Sequence, residues 1–205
     1  YGAWQAAQEA RAISGLTRLA VSTSDAVHEL QKERGRSSGF LGSKGQQFSA
    51  ELADQRTRVD KAVGDLDATL RDMPGLSAVV EAHMADAGKQ RAGLASIRER
   101  VSNLTVPAPE AIGFYTAVIG GYLKAVDQMG LVPSAGDLVR RLVAYANFRQ
   151  AKESAGQERA VLSNAFGADR FTPVLYKTFS GIVSAEQTRM ALFRTHARAA
   201  DVQAF

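Results

Sequence analysis

This 205-residue sequence predicts an all-α fold: long antiparallel helices forming one or two stacked four-helix bundles with an internal pseudo-repeat. Three observations carry that expectation. Apolar residues recur at alternating spacings of three and four, the period of one helix face. No stretch shows convincing strand alternation. Clusters of proline and glycine interrupt the helical pattern at intervals suited to long helices.

In the first segment Ile13, Leu16, Ala20, Thr23, Val27, Leu30, Arg34, Ser37 and Leu41 lie on one seam. The seam belongs to a helix roughly 55 Å long at about 1.5 Å per residue. It turns from apolar to polar at Arg34 and returns to apolar at Leu41. Gly42-Ser-Lys-Gly45 is the first stop signal. The second helix is expected from Gln47 to Met73, with Leu52, Arg56, Val59, Val63, Leu66 and Leu70 on one face and Pro74-Gly75 at its end. The third continues to Leu104, with Val80, Ala87, Leu94, Ile97 and Val101 inward. Thr105-Val-Pro-Ala-Pro109 breaks the pattern, because proline lacks a backbone donor and biases its predecessor away from helix.

The fourth helix, Glu110 to Met129, carries Ile112, Tyr115, Ile119, Tyr122, Val126 and Met129. Gly130-Leu-Val-Pro133 ends it, and Ser134 with Asp137 suits a helix cap. The fifth, Ser134 to Phe166, places Leu138, Tyr145, Phe148, Lys152, Ala155, Arg159, Leu162 and Phe166 on one face. Gly167-Ala-Asp169 breaks it. The last runs from Thr172 to the end, with Leu175, Ile182, Arg189 and Leu192 in phase.

The chain reads as a single helical domain over residues 1–205, in two related halves, about 1–105 and 106–205. Glu33-Arg34 matches Glu158-Arg159 at an offset of 125, as Leu41-Gly42 matches Phe166-Gly167. After an insertion the offset becomes 131, where Phe48-Ser49 meets Phe179-Ser180 and Thr57-Arg58 meets Thr188-Arg189. A duplication places Arg34 and Arg159 at equivalent positions about a pseudo-twofold axis.

Composition narrows the chemistry. Net charge is +4 with no dense Lys/Arg run, which gives nucleic-acid binding little support. Cysteine is absent, which excludes disulfides, thiol catalysis and thiolate metal sites. No apolar stretch is long enough to span a bilayer, and no signal peptide is expected within this sequence. The chain starts Tyr1-Gly-Ala-Trp4 and stops at Phe205 in mid-pattern, as expected of a domain taken from a larger protein. His28-Glu29-Leu30-Gln31-Lys32 begins like a zinc-protease helix but has lysine where the second histidine belongs. No phosphate-binding loop or nucleophile elbow is present. Neither enzyme activity, metal nor cofactor is expected.

What remains is a set of misplaced cations. Arg34, Arg159 and Lys152 fall on apolar seams, where a cation is costly without an anionic partner. Glu33 and Glu158 adjoin the arginines in sequence, but helix neighbours point about 100° apart. Two arginines without an internal partner suggest a site for an external anion, since guanidinium is a planar fork of donors. Ser37 and Ser38 lie within a turn of Arg34 and add hydroxyls. Gly35, Gly39 and Gly156 leave room for close approach.

The segment Leu30-Gln-Lys-Glu-Arg34-Gly-Arg-Ser-Ser-Gly-Phe-Leu41, followed by Gly45, Leu52 and Gln55-Arg-Thr-Arg-Val-Asp60, resembles the nitrate- and nitrite-sensing (NIT) domain family of bacterial receptors. So do Tyr115 with Leu123, Lys152-Glu153, Gly156-Gln-Glu-Arg159 and Gln187 in the second half. The resemblance covers about Ala20 to Thr195. It implies paired helical bundles that bind nitrate or nitrite between helices. The arginines that contact the anion map to Arg34 and Arg159, with Arg36 a further candidate. Family members are joined to chemotaxis, kinase, cyclic-dinucleotide and RNA-binding antitermination outputs.

The expectation is therefore a ligand-binding sensor domain that passes a helix displacement to an output module. Nitrate would sit among Arg34, Arg159, Ser37, Ser38, Lys152 and Arg36. A homodimer is expected, between flanking transmembrane helices with a cytoplasmic output. The domain would then be periplasmic, though cytoplasmic members also exist, and its partners would include no nucleic acid. Two alternatives stand beside it: a receptor for another small anion such as a carboxylate, and a ligand-free interaction module whose arginines pair with acids such as Glu33 and Asp60.

Overall fold

The computed structural model describes residues 2–73, 76–129 and 136–203. The stop signals at Pro74-Gly75 and Gly130–Pro133 and the Ser134 cap lie outside the described residues, as do the side chains of Asp137 and Leu138. The described residues fold into helices α1 (Gly2–Gly42), α2 (Ser49–Arg71), α3 (Ala78–Arg91), α4 (Leu94–Ser102), α5 (Ala108–Met129), α6 (Gly136–Gly167), α7 (Pro173–His196) and α8 (Ala199–Gln203).

α1, α2, the α3–α4 pair and α5 form an antiparallel four-helix bundle. Cross-links set its directions: Ser22 reaches Thr69 across α1 and α2, Arg91 binds Asp67 across α3 and α2, and Arg98 binds Asp60 across α4 and α2. The core comprises Leu19, Leu30, Leu52, Val59, Leu66, Val80, Ile97, Tyr115, Ile119, Tyr122 and Met129 with their neighbours. The α6–α7 hairpin packs its α6 side against α1 and α5. A small second cluster, Ala144, Ala151, Met190 and Phe193, joins α7 to α6.

Most predicted elements recur with small shifts. The third helix is an exception, being divided at Ala92 and Gly93 into α3 and α4. The apolar seam continues through the break, so periodicity alone did not reveal it. The break lets the Phe114 ring close over Gly93, where an added Cβ would lie 3.0 Å from the ring. The last helix also ends early, at His196, before the short α8. Its start matches expectation: the Thr172 hydroxyl accepts from the Leu175 amide and Pro173 opens the first turn.

The face expected on α6 is a correction. Phe166 and Arg159 are exposed and Phe148 and Leu162 only half-buried, whereas Ala144, Ala151, Gly156, Ala160, Val161 and Ala165 are buried. Small residues bring α6 close to α1 and push the bulky ones to the flanks. The two helices run parallel: Arg34 lies against Gly156, Ser38 against Ala160 and Gly42 against Gly167. A Cβ on Gly167 would meet the Gly42 backbone at 3.1 Å.

Because Leu30 is fully buried, Leu30→Ala is expected to lower unfolding free energy by about 2–5 kcal/mol. Val174→Ala, on the exposed side of α7, is expected to stay within about 0.5 kcal/mol of the parent. Urea denaturation followed by circular dichroism measures both.

Candidate functional site

α1 touches α2, α5 and α6, so it has no purely solvent-facing side in its second half. Glu33 and Arg34 are both fully buried there. Being adjacent on a helix, they project to different neighbours.

Glu33 turns into the four-helix bundle. Arg98 clasps its carboxylate in a bidentate pair, Nε to Oε1 at 2.7 Å and Nη2 to Oε2 at 2.8 Å. The Tyr115 hydroxyl donates to Oε1 at 2.8 Å, and Arg56 Nε stands 3.7 Å away. Asp60 takes a further Arg98 donor at 2.7 Å. Burial pulls the Arg98 guanidinium down, but Glu33 and Asp60 outweigh it and hold Arg98 above its ordinary value. Burial, followed by the Glu33 carboxylate, pushes the Tyr115 phenol well up. This network ties α1 to α2, α4 and α5. The acids that might have neutralised Arg34, Glu33 and Asp60, thus serve Arg98 instead.

Arg34 turns toward α6. It does have an internal partner, contrary to expectation: Nη1 reaches Glu153 Oε1 at 2.5 Å and Nη2 reaches Oε2 at 3.3 Å. Nη1 also donates to the Thr116 hydroxyl of α5 at 3.0 Å. Glu153 accepts two more amide donors, from Gln31 at 2.7 Å and from Gln157 at 2.7 Å. A buried carboxylate is stable only when its lone pairs are met in this way. Gly156 makes room for the guanidinium, since a Cβ there would sit 2.9 Å from Arg34 Nη2. The Nε of Arg34 is buried and unpaired, and the Ser37 hydroxyl faces the Tyr115 phenol without the geometry of a full hydrogen bond.

The other predicted residues fall into three places. Ser38 is buried and donates to the Ala160 carbonyl at 2.9 Å, pinning α1 to α6. Arg36 points to α2, where it binds the Gln55 amide oxygen; Gln55 in turn donates to the Glu29 carboxylate at 2.6 Å. Lys152 and Arg159 stand at the rim of the α1–α6 seam, Lys152 half-buried and Arg159 exposed. Arg159 lies one turn beyond Gly156 but is directed outward. Glu158, its neighbour, faces Glu186 of α7; burial and that second carboxylate hold Glu158 above its ordinary value.

Several cations gather at this rim, where Lys32 is paired with Glu29 at 2.8 Å. Burial, then Arg149, Lys32 and Arg159, hold the Lys152 ammonium below its ordinary value. Burial, then Lys152 and Lys32, do the same to His28, against the opposing pull of Glu29. Among the described residues no group of three His, Asp or Glu side chains is placed to hold a metal ion. Arg56 and Arg58, weaker candidates by sequence, are engaged: Arg56 with the Arg98 carbonyl and Ser102, Arg58 with Asp54. Glu153, Gln31 and Thr116 escaped sequence reading as site residues. Gln31 shares a face with Arg34 at a spacing of three, the one signal that marked it.

The described residues thus form an all-α module in which a buried guanidinium is paired with a carboxylate of its own chain and further cations stand nearby. The match to the family described as nitrate and nitrite sensing, NIT, spans residues 25–205. The chain belongs to that family. It is 32% identical over 172 residues to the nitrate regulatory protein of Klebsiella oxytoca, covering 82% of this chain and 43% of that protein. It also superposes on the solved NasR transcription antiterminator with a TM-score of 0.87 and 28% identity, over 98% of this chain and 56% of the other. The chain thus spans about half the length of these relatives.

Two glycines, Gly35 of α1 and Gly156 of α6, differ in a testable way. A Cβ on Gly35 meets nothing within 4 Å, so Gly35→Ala is expected to stabilise the fold by about 0.5–1 kcal/mol through helix propensity. Gly156→Ala is expected to lose that gain by displacing Arg34 from Glu153. Thermal unfolding of the two variants side by side measures the difference.

Proposed function

We propose that this domain senses nitrate or nitrite at the α1–α6 seam, with Arg159 and Lys152 as the cations that meet the anion and Arg34, held by Glu153 but with its Nε unpaired, as the inner guanidinium behind them. The observation that supports this most is the Arg34–Glu153 pair. A carboxylate is a planar oxyanion, and nitrate and nitrite present oxygens in a similar plane. The seam already holds such a group, on a bidentate fork, away from water. The unpaired Arg34 Nε and the Ser37 hydroxyl are spare donors beside it. Ser38 and Arg36 enter as supports, one fastening α6 and the other α2.

In the ligand-free state Glu153 neutralises Arg34 while the rim cations repel one another. An anion drawn to the rim relieves that repulsion and draws Arg159 inward over the seam. For sensing, the anion must bind one arrangement of α1 and α6 more tightly than the other, because equal affinity shifts nothing. Displacement along the long α1 and along α6–α7 then reaches an output module in a homodimer.

The output is a separate matter from the ligand. Among the described residues no helix is long and apolar enough to cross a membrane. The solved relative carries its matching bundle in a transcription antiterminator. That relative favours a transcription-regulating output over a membrane receptor with a periplasmic sensor, and it removes the reason to exclude nucleic acid from the partners of the full-length protein.

Calorimetric titration with nitrate, nitrite, chloride and acetate tests the reading. Saturable nitrate or nitrite binding, weakened at least tenfold in Arg34→Ala and in Arg159→Ala, is expected; tenfold corresponds to about 1.4 kcal/mol. Binding of acetate alone would select a carboxylate receptor, which the Glu153 carboxylate on Arg34 also favours. Absence of binding to any anion would leave a ligand-free interaction module.

A further inference from the structure

We propose that His28 and Gln31 form the α1 half of the anion socket, opposite Arg159, and that anion binding is coupled to protonation of His28. This rests on the reading of the α1–α6 seam as the nitrate or nitrite site.

The argument begins with the parallel packing of α1 and α6. Gly42 and Gly167, 125 residues apart, touch across the seam. Applying that same offset to the surroundings of Arg34 yields the surroundings of Arg159. Glu153, Gly156 and Ala160 on α6 correspond to His28, Gln31 and Gly35 on α1. The exchange has one chemical consequence. Where Arg34 has a carboxylate at the matching height, Arg159 has an imidazole. One socket is neutralised from within and its counterpart is not.

Three independent features mark the second socket as open. The Nδ1 of His28 is buried without a hydrogen-bond partner, and the Gln31 amide nitrogen, which carries two hydrogens, donates to Glu153 alone among the described residues. Gly35 leaves the space beside them unfilled, with nothing within 4 Å of an added Cβ. Arg159 forms no ion pair or hydrogen bond among the described residues, in contrast to Arg34. An anion at the position corresponding to the Glu153 carboxylate would meet Arg159 from α6 and His28 from α1. The Gln31 amide already donates to one oxyanion in the first socket, so it links the two.

The charged groups facing His28 are Glu29 and Lys32 on its own helix and Lys152 and Arg159 on α6. Glu29 Oε1 is 4.0 Å from Nε2, on the other side of the ring from Nδ1. In the free protein burial, followed by the cations, holds the His28 ring below its ordinary value. Nitrate keeps its single negative charge throughout the range in which histidine titrates. Bound beside the ring, it favours the imidazolium. The bound-state pKa of His28 is then above the free-state one, so binding takes up a proton between the two. Affinity is greatest at low pH and falls as pH rises through that window.

The test is calorimetric titration of the whole chain with sodium nitrate at about pH 5.5 and about pH 8, each in two buffers of different ionisation enthalpy. The expected result is binding about five- to tenfold weaker at the higher pH, as one pKa unit of coupling gives. Net proton uptake accompanies it, and both effects vanish in His28→Gln. Nitrate binding with no pH slope, or a slope retained in His28→Gln, overturns the inference and leaves the anion-sensing reading intact. A slope retained in His28→Gln but lost in Lys152→Met assigns the proton to Lys152 and also overturns it. Absence of nitrate binding at both pH values overturns the two readings together. Thermal unfolding of His28→Gln, whose ring is partly exposed, verifies that the variant folds.

Discussion

The structure depends on two ion pairs that leave α1 from adjacent residues in different directions. Glu33 binds Arg98 and so holds the four-helix bundle to α1. Arg34 binds Glu153 and so holds α6 to α1. Neither charge can be buried alone, because removing one partner of such a pair costs about 3–5 kcal/mol. The 100° step between helix neighbours thereby sends opposite charges into two different interfaces. α1 becomes the shared wall of the bundle and the hairpin, and any change at Arg34 is felt one residue from the network that organises α2, α4 and α5.

Helices were legible in the sequence wherever burial was one-sided. The seam of α5 from Tyr115 to Met129 and the inner residues of α3 and α4 stand where periodicity places them. The reading weakened where a helix is buried on several sides or packs through small residues. On α1 the additional buried positions Ala26, Gln31, Glu33 and Ser38 face neighbours that a single seam omits. On α6 the bulky residues suggested one face, but alanines and Gly156 form the contact, since close approach of two helices selects against volume. Arg34 was legible as a buried cation because it interrupts an apolar seam. Its partner was not, since Glu153 is 119 residues away and pairing at that distance is decided by topology.

The parallel contact of α1 and α6 also explains why the site is electrostatically uneven. Parallel helices related by a constant offset bring similar residues to similar heights on the seam. Any substitution in one half then appears as a difference between two matched environments. At Arg34 the α6 residue is a carboxylate; at the matching height on α1 it is His28. Lys152 and Arg159 add positive charge there, Lys32 is paired with Glu29, and burial followed by these cations holds Lys152 and His28 below their ordinary values.

A sensor for an anion as small as nitrate has little surface to bury and gains little from the hydrophobic effect, which scales with apolar area removed from water. Discrimination between its two states must come from charge. A rigid, fully neutralised site would bind no anion, and a fully unpaired one would not fold. The seam lies between these limits: one guanidinium is satisfied internally and fixes the packing, while the second is left at the rim with mutually repelling neighbours. The folded bundle bears that repulsion because Glu33–Arg98 and Arg34–Glu153 hold α1 in place from two sides. On the proposed reading that repulsion is what an anion would relieve, and the helices that carry it, α1 and α6, are the longest among the described residues.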